Sequence, residues 1–396
     1  MATLSIRDLH LHGRRLFIRV DFNVPLKNGV ITDDTRIRAS LATIQFALDS
    51  GALPIIASHL GRPKGTPNMA YTLRPVAVRL QELLGRPVSF APDCVGPAVD
   101  TAVDEARRAN GVVLLENLRF HPEEEKNDDV FAKQLAEVAD DYVNDAFGAA
   151  HRAHASVEGI THHFSKPAAG LLMEQELKYL SHVLEAPERP FVAILGGAKV
   201  SDKIEVIENM LGKVDRLIIG GAMAYTFLKS RGIPTGRSLV EDDKLEAART
   251  ITADAAAKGV ALALPVDHIV TTAIAADAPH AVIAIDEASI GDRMGVDIGP
   301  LTIANYDALL KGARTVVWNG PMGVFEIAAF AGGTNALAQA VANVHGTTIV
   351  GGGDSISAIK KSGMADRITH ISTGGGASLE FLGGRVLPGV AALGDK

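Results

Sequence analysis

Phe191-Val-Ala-Ile-Leu-Gly-Gly-Ala-Lys-Val-Ser-Asp-Lys-Ile204 lies near the middle of the 396-residue chain, and its reading decides the fold. Phe191 to Leu195 is a short apolar run, the pattern of a buried strand. The run breaks at Gly196-Gly197, and a helix is expected to start near Ser201. Lys199 and Lys203 fall at that start. The first turn of a helix carries unpaired N–H groups and partial positive charge, so cations there are unfavourable unless something balances them. The simplest balance is an anion, most often a phosphate.

Towards the C-terminus the same unit recurs. Arg216 to Ile219 runs into Gly220-Gly221, and Ala261 to Leu264 into Pro265-Val266-Asp267. Thr315 to Trp318 runs into Asn319-Gly320-Pro321-Met322-Gly323, and Thr347 to Val350 into Gly351-Gly352-Gly353-Asp354-Ser355. His370 to Thr373 ends in Gly374-Gly375-Gly376, and residues 245–258 are helical in pattern. Backbone without side chains approaches phosphates closely and offers them N–H donors. Close helix–strand packing also selects glycine. One glycine pair favours packing; several at strand exits in one half favour a nucleotide site. Asp354 opens a helix after a triple glycine, which suits a helix cap. It equally suits a Mg²⁺ contact beside nucleotide phosphates.

Towards the N-terminus, Gly170 to Leu184 has a helix pattern with no strand before it, closed by Pro187 and Pro190. It reads as a connecting helix. Leu16 to Phe22 reads as a strand whose end turns polar at Asp21 and Asn23. Asp33-Asp34-Thr35 starts a helix with Ile37, Leu41, Ile44 and Leu48 on one face and Gly51 at its end. Further strands are expected at Leu53 to Ser58, Val88 to Ala91, Val112 to Leu115 and Tyr142-Val143, with helices at Leu73 to Leu84 and 127–140. Strands alternating with helices give an α/β fold: parallel sheets with helices on both faces. Ligands of such sheets bind beyond the carboxyl ends of the strands. Arg36, His59, Arg62, Arg119 and Arg152 each follow a strand or open the next helix. Singly, each reads as a solvated surface charge; together at one sheet edge they suit a small, multiply anionic ligand.

The bulk composition narrows the class. A chain this long is suited to two domains. Hydrophobic content of 47% and charged content of 21% are those of a soluble globular protein. A net charge of −7 implies no general affinity for nucleic acid. No apolar run approaches the ~20 residues that span a bilayer, and the N-terminal stretch lacks a signal-peptide core. The single cysteine, Cys94, excludes an internal disulfide and suits a reducing cytoplasm. The P-loop, the dinucleotide fingerprint, the nucleophile elbow, the protein-kinase signature set and zinc-ligand spacings are absent.

Nine motifs resemble those of the phosphoglycerate kinase family, in order over essentially the whole chain. They are Val-Asp-Phe-Asn-Val-Pro (20–25), Ser-His-Leu-Gly-Arg-Pro (58–63), Glu-Asn-Leu-Arg-Phe (116–120), Asn-Asp-Ala-Phe-Gly (144–148) and His-Arg-Ala-His-Ala-Ser (151–156). The second half adds Gly-Gly-Ala-Lys-Val-Ser-Asp-Lys (196–203), Trp-Asn-Gly-Pro-Met-Gly-Val-Phe-Glu (318–326), Gly-Gly-Gly-Asp-Ser (351–355) and Ser-Thr-Gly-Gly-Gly-Ala-Ser-Leu-Glu (372–380).

The resemblance implies two Rossmann-like αβα domains facing each other across a cleft. Residues 1–170 would bind 3-phosphoglycerate or 1,3-bisphosphoglycerate, with the segment 381–396 packing back on them. Residues 171–190 would form a connecting helix and hinge, and residues 191–380 would bind MgADP or MgATP. The implied reaction moves the acyl phosphate of 1,3-bisphosphoglycerate reversibly to ADP, as in glycolysis and gluconeogenesis. Asp21, Asn23, Arg36, His59, Arg62, Arg119 and Arg152 would hold the phosphoglycerate. Lys203, Gly295, Glu326, Gly353, Asp354 and Ser355 would hold the nucleotide, with Asp354 on Mg²⁺. Arg36, Lys199 and the backbone at Gly353 and Gly376 would stabilise the phosphoryl group in flight. The resemblance also implies a cytoplasmic monomer. Ala149 and Gly383-Gly384-Arg385 depart from the family pattern, which bears on hinge or domain contacts.

Phosphoryl transfer asks for alignment and preorganised positive charge more than for covalent work. A carboxylate acceptor is already a nucleophile, so no general base is required. Two other readings compete: a kinase of another small carboxylate or carbamate, and a non-catalytic nucleotide-binding regulator.

Overall fold

The computed structural model describes residues 3–286 and 288–396. The chain divides into two units, Met1–Lys178 with Val386–Lys396, and Tyr179–Arg385. The division falls inside the helix Leu171–Glu185. Each unit is built on a six-stranded parallel sheet.

In the first unit the strand order is Val88–Phe90, Val112–Leu114, Leu53–Ala57, Arg15–Arg19, Asp141–Asn144 and Ala168–Ala169. Successive strand residues point to opposite faces. Leu16, Ile18, Ile56 and Val112 pack with Ile37, Ile44, Val76 and Leu80 of the helices Thr35–Asp49 and Arg74–Leu84. Phe17, Ile55, Val113 and Tyr142 pack with Val99, Val103, Phe131 and Leu135 of the helices Pro97–Ala109 and Asp129–Glu137. Both faces are covered, so these strands read as continuous apolar runs.

Several elements differ from the sequence reading. The helix Pro97–Ala109 was not expected, although Pro97 stands at its first turn and Val99, Ala102, Val103 and Ala106 form its buried stripe. The strand expected to reach Phe22 stops at Arg19. Beyond it, Phe22 N–H is taken by Ser58 Oγ at 2.8 Å, so side chains replace the ladder. The connecting helix does have a strand before it, since Ala168–Ala169 pairs with Val143 and Asn144. Two alanines are too short a run to show a strand pattern. The C-terminal segment is tied to the first unit by Gly389 N–H to Ala150 O and Gly394 N–H to Pro167 O, both at 2.8 Å.

Asp145 follows the strand Asp141–Asn144 and accepts from Leu172 N (3.0 Å) and Met173 N (3.3 Å), in the first turn of Leu171–Glu185. Complete burial raises its carboxyl to about 7, against these stabilising bonds. The unfolded carboxyl titrates near 3.9. The native state therefore holds a proton that the unfolded state has lost between these values. That stability is present at acid pH and is lost as pH rises through about 7. Between pH 5 and 8 the wild type should lose roughly 2–3 kcal/mol more than Asp145→Asn in urea unfolding. Parallel pH profiles would contradict this.

In the second unit the order is Ala261–Ala263, Arg216–Ile219, Phe191–Leu195, Thr315–Asn319, Thr347–Gly351 and His370–Ile371. Val192, Ile194, Ile218, Val316 and Trp318 pack one face against Tyr306, Leu310, Leu337 and Val341. A second, antiparallel sheet of Asp267–Thr271, His280–Ala284 and Met294–Ile298 was not expected from the sequence. Among the described residues no helix is long and apolar enough to cross a membrane.

Candidate functional site

In the first unit the strands Arg15–Arg19, Leu53–Ala57 and Asp141–Asn144 end in register, Arg19 opposite Ala57 and Asn144. Their exits carry the expected polar residues. Arg36, in the first turn of Thr35–Asp49, places Nη1 at 2.8 Å from both oxygens of Asp21. Asn23 Oδ1 accepts from Gly61 N at 2.9 Å, and Arg119 donates to Gly61 O at 2.8 Å. His59 is buried, and that burial pushes its pKa well down, helped by the charges of Arg19, Arg119, Arg36 and Arg152. His59 is therefore neutral at physiological pH. Arg119 is only 5% exposed and faces the half-exposed Glu125 at 3.3 Å. Arg62 is exposed at the loop following Gly61. Asp21, Asn23, Arg36, His59, Arg119 and Arg152 thus form one group, in which guanidinium charge outweighs carboxylate charge. Arginine forks bind phosphate and carboxylate bidentately.

In the second unit Leu195 lies opposite Asn319 and Ile219, and Asn319 opposite Gly351. The four glycine-bearing exits therefore meet on one edge. Gly196 and Gly320 touch so closely that a Cβ on Gly320 would sit 2.2 Å from Gly196 O. Beside them lies a cavity of about 210 Å³. Gly197, Ala198, Gly221 and Ala222 form its small-residue wall, and Pro265, Val296, Pro321, Met322 and Val324 its apolar wall. Gly295, Glu326 and Asp354 line it too, as do Tyr225, His268 and Asp297. Apolar walls beside the first turn of the helix Gly353–Lys361 suit a heterocyclic base followed by phosphates. A groove of about 960 Å³ lined by Arg74, Arg79 and Glu82 lies in the first unit, apart from these residues.

Lys203 is nearly buried and donates to Asn319 Oδ1. Burial lowers its pKa, while Asp202 and Asp354 work against that shift. Ser355 is buried and accepts from Gly320 N at 2.6 Å, which fixes the Gly352 turn against the Gly320 loop. Lys199 and Gly376 are exposed and do not line the cavity, and Gly376 opens the helix Gly376–Leu382.

Two expectations about the phosphate site need correction. The helix expected near Ser201 begins at Ile204, with Lys203 just before it. The amides of Val200 and Ser201 are taken by Glu241, at 2.5 and 3.1 Å, with Ser201 Oγ at 2.5 Å. An internal carboxylate, and not a ligand, balances those N–H groups. Asp354 is not a cap either: Gly352 precedes the helix Gly353–Lys361, and Asp354 lies within its first turn, exposed. An exposed carboxylate beside the cavity and within electrostatic reach of Lys203 fits a Mg²⁺ that keeps water and phosphate oxygens as its other ligands.

A sequence family described as phosphoglycerate kinase matches residues 6–385. The chain belongs to the phosphoglycerate kinase family. The phosphoglycerate kinase of Solibacter usitatus is 60% identical, over 99% of this chain and all of that one. That of Moorella thermoacetica is 59% identical over the full length of both. The solved phosphoglycerate kinase of Coxiella burnetii superposes with a TM-score of 0.88 at 44% identity, over 98% of each chain. Membership in the phosphoglycerate kinase family makes this chain a phosphotransferase.

Four cavity or edge residues lie outside the motifs that the sequence offers. Asp297 accepts from Gly333 N at 2.7 Å and Ile298 N at 2.9 Å, and burial still raises its carboxyl to about 7. Tyr225 and His268 meet at 2.8 Å. Tyr225 lies against Gly295, where a Cβ would overlap the phenol oxygen. Arg19 is wholly buried. Only Arg19 left a signal, as a charge inside an apolar strand. As for the departures from the family pattern, Ala149 is buried and Arg385 pairs with Glu205 at 2.5 Å.

Proposed function

We propose that the chain catalyses reversible transfer of the acyl phosphate of 1,3-bisphosphoglycerate to ADP, giving 3-phosphoglycerate and ATP. The observation that carries this reading is the pairing of two chemically different edges in one chain. One edge groups Arg36, Arg119, Arg152 and neutral His59; the other joins a small-residue cavity to Lys203 and Asp354. The first suits a ligand bearing phosphate and carboxylate, and the second suits a nucleotide.

In this reading Arg36, Arg62, Arg119 and Arg152 bind the phosphoglycerate, with His59 and Asn23 as hydrogen-bond partners. Asp21 holds the Arg36 guanidinium in place through its 2.8 Å pair. Gly295 and Glu326 bound the base and ribose end of the nucleotide. Lys203, Ser355 and the first-turn amides at Gly353 hold its phosphate end. Asp354 would hold Mg²⁺, whose chemistry there would be to neutralise phosphate charge. Lys199 and the amides near Gly353 and Gly376 meet charge on the phosphoryl group as it moves. Transfer needs donor and acceptor oxygens in line and water excluded, so a hinge at residues 171–190 is part of the proposal. So are a cytoplasmic location, a monomeric state and a place in glycolysis and gluconeogenesis. The buried thiol of Cys94 suits a reducing compartment.

Two measurements arise here. Coupled ATP-dependent assays should give rapid turnover with 3-phosphoglycerate and little with acetate, glycerate or carbamate. Comparable rates with an unphosphorylated carboxylate would refute the assigned acceptor. Asp354→Ala should raise the Mg²⁺ concentration for half-maximal rate by about tenfold, one lost carboxylate ligand being worth roughly 1.4 kcal/mol or more. A Mg²⁺ titration superposable on that of the wild type would remove Asp354 from the metal.

A further inference from the structure

We infer that Arg19 is a positioning residue that fixes the His59 ring as its Nε2–H tautomer, so that His59 serves the anion site as a neutral, directed donor. Arg19 closes the strand Arg15–Arg19 and is 0% exposed. Its Nη2 lies 3.1 Å from His59 Nδ1. A guanidinium has five donors and no acceptor. The ring nitrogen at that contact must therefore be the acceptor, and it carries no hydrogen. A neutral imidazole then has its proton on Nε2. A doubly protonated ring would set N–H against N–H.

The guanidinium is itself held so that it cannot turn away. Its Nε donates to Ser156 Oγ at 2.8 Å, and Nη1 donates to Val20 O. Ser156 in turn donates from Oγ to Glu124 Oε1 at 2.6 Å and from its amide to Oε2 at 2.9 Å. The hydroxyl has one hydrogen: it accepts from Arg19, whose guanidinium can only donate, and gives to Glu124. Tyr142 Oη donates to Ser156 O at 3.0 Å and anchors the bridge from the sheet. Glu124 is fully buried; that burial raises its carboxyl above the usual carboxylate range, against the charge of Arg19 and the two bonds from Ser156, and no direct ion pair joins it to Arg19.

The charged and titratable groups around His59 are Arg19 on its own sheet, Arg36 on the first helix, and Arg119 and Arg152 on the following loops. Asp21 is paired to Arg36, and His154 is held neutral, its pKa pushed down to about 3 by burial. Four guanidinium groups already provide the positive potential. A fifth cation would add repulsion, whereas a neutral N–H adds direction. The ring's role in anion binding rests on the function proposed above; its tautomer does not.

The test is nitrogen-15 NMR on the ligand-free protein with labelled histidine, with His59 assigned by its loss in His59→Gln. The expected result is a bare Nδ1 and a protonated Nε2, unchanged from pH 5.5 to 8. A protonated Nδ1, or a ring that titrates near 6.5, overturns the proposal. Arg19→Lys keeps the charge and loses the fork. If folded by circular dichroism, it should show a mixed tautomer and a roughly tenfold higher KM for 3-phosphoglycerate, with the nucleotide KM unchanged. A folded variant with the wild-type tautomer and KM overturns the role of Arg19. If the variant does not fold, the wild-type spectrum still decides the tautomer. A wild type that shows the expected spectrum yet lacks turnover counts against the activity alone.

Discussion

Lys199→Ala is expected to lower kcat by roughly 10²–10³-fold while changing either KM by less than about threefold, the size expected when one preorganised transition-state donor is lost. Lys199 lies in the loop between the strand Phe191–Leu195 and the helix Ile204–Met210, and it is exposed. The neighbouring amides of Val200 and Ser201 are occupied by Glu241, so the loop is held independently of any ligand. The ammonium group is a compact charge on a flexible stem, suited to a phosphoryl group that changes position during reaction. Interactions made only in the transition state appear in kcat and not in KM. Because the side chain is exposed, its removal should leave the free energy of unfolding within about 0.5 kcal/mol of wild type. Steady-state kinetics with both substrates varied checks this. An unchanged kcat would take Lys199 out of the reaction.

The second large effect is structural in origin and functional in outcome. Gly221 has φ +65°, and a Cβ there would lie 2.5 Å from Gly197 N, 2.6 Å from Gly197 O and 2.8 Å from Pro321 O. The same three loops are joined by Gly197 N–H to Pro321 O at 2.9 Å, Gly221 N–H to Met322 O at 3.1 Å and Met223 N–H to Gly197 O at 3.0 Å. Gly221→Ala adds the left-handed backbone penalty, roughly 1–2 kcal/mol, to an overpacking cost of roughly 1–3 kcal/mol against backbone that cannot yield. We expect a loss of about 3 kcal/mol in stability and a more than tenfold weaker nucleotide affinity. Binding of 3-phosphoglycerate, proposed above to use the first unit, should persist. Urea unfolding and calorimetric titration with each ligand separate these outcomes. Wild-type stability and nucleotide affinity would show that the loops can part without consequence.

What could be read from the sequence follows from which elements are buried on two faces. Phe191–Leu195, Thr315–Asn319 and Leu53–Ala57 are such strands, so they appear as unbroken apolar runs followed by polar or glycine-rich exits. The exits are where the candidate site residues sit, so most of those candidates could be read along with the strands. Elements with mixed exposure were not legible. His280–Ala284 is largely exposed, and its sheet carries Asp297 to the cavity without any nearby motif. The buried stripe of Pro97–Ala109 is mostly alanine and valine between charges, a weak pattern beside the helices that carry leucine and isoleucine. Glu241 could not be found by spacing, because it reaches Val200 and Ser201 only through the tertiary fold. The excess positive charge at Lys199 and Lys203 pointed to an anion. The fold supplies Glu241 for the amides and leaves Lys199 exposed.

Arg19 teaches the opposite lesson. A charge inside the run Leu16 to Val20 is costly unless paired, and its presence marks a buried polar network. The strand pattern was legible there, but the partners Ser156, Glu124 and His59 come from distant segments that only the folded sheet assembles.

The central claim is that one chain joins a phosphoglycerate site to a Mg-nucleotide site for phosphoryl transfer. The most direct test is the initial rate of ADP formation from ATP and 3-phosphoglycerate by the purified wild type as Mg²⁺ is titrated. We predict saturable turnover that requires both substrates and falls to background when Mg²⁺ is chelated. Binding of both ligands without turnover at any Mg²⁺ concentration would contradict it.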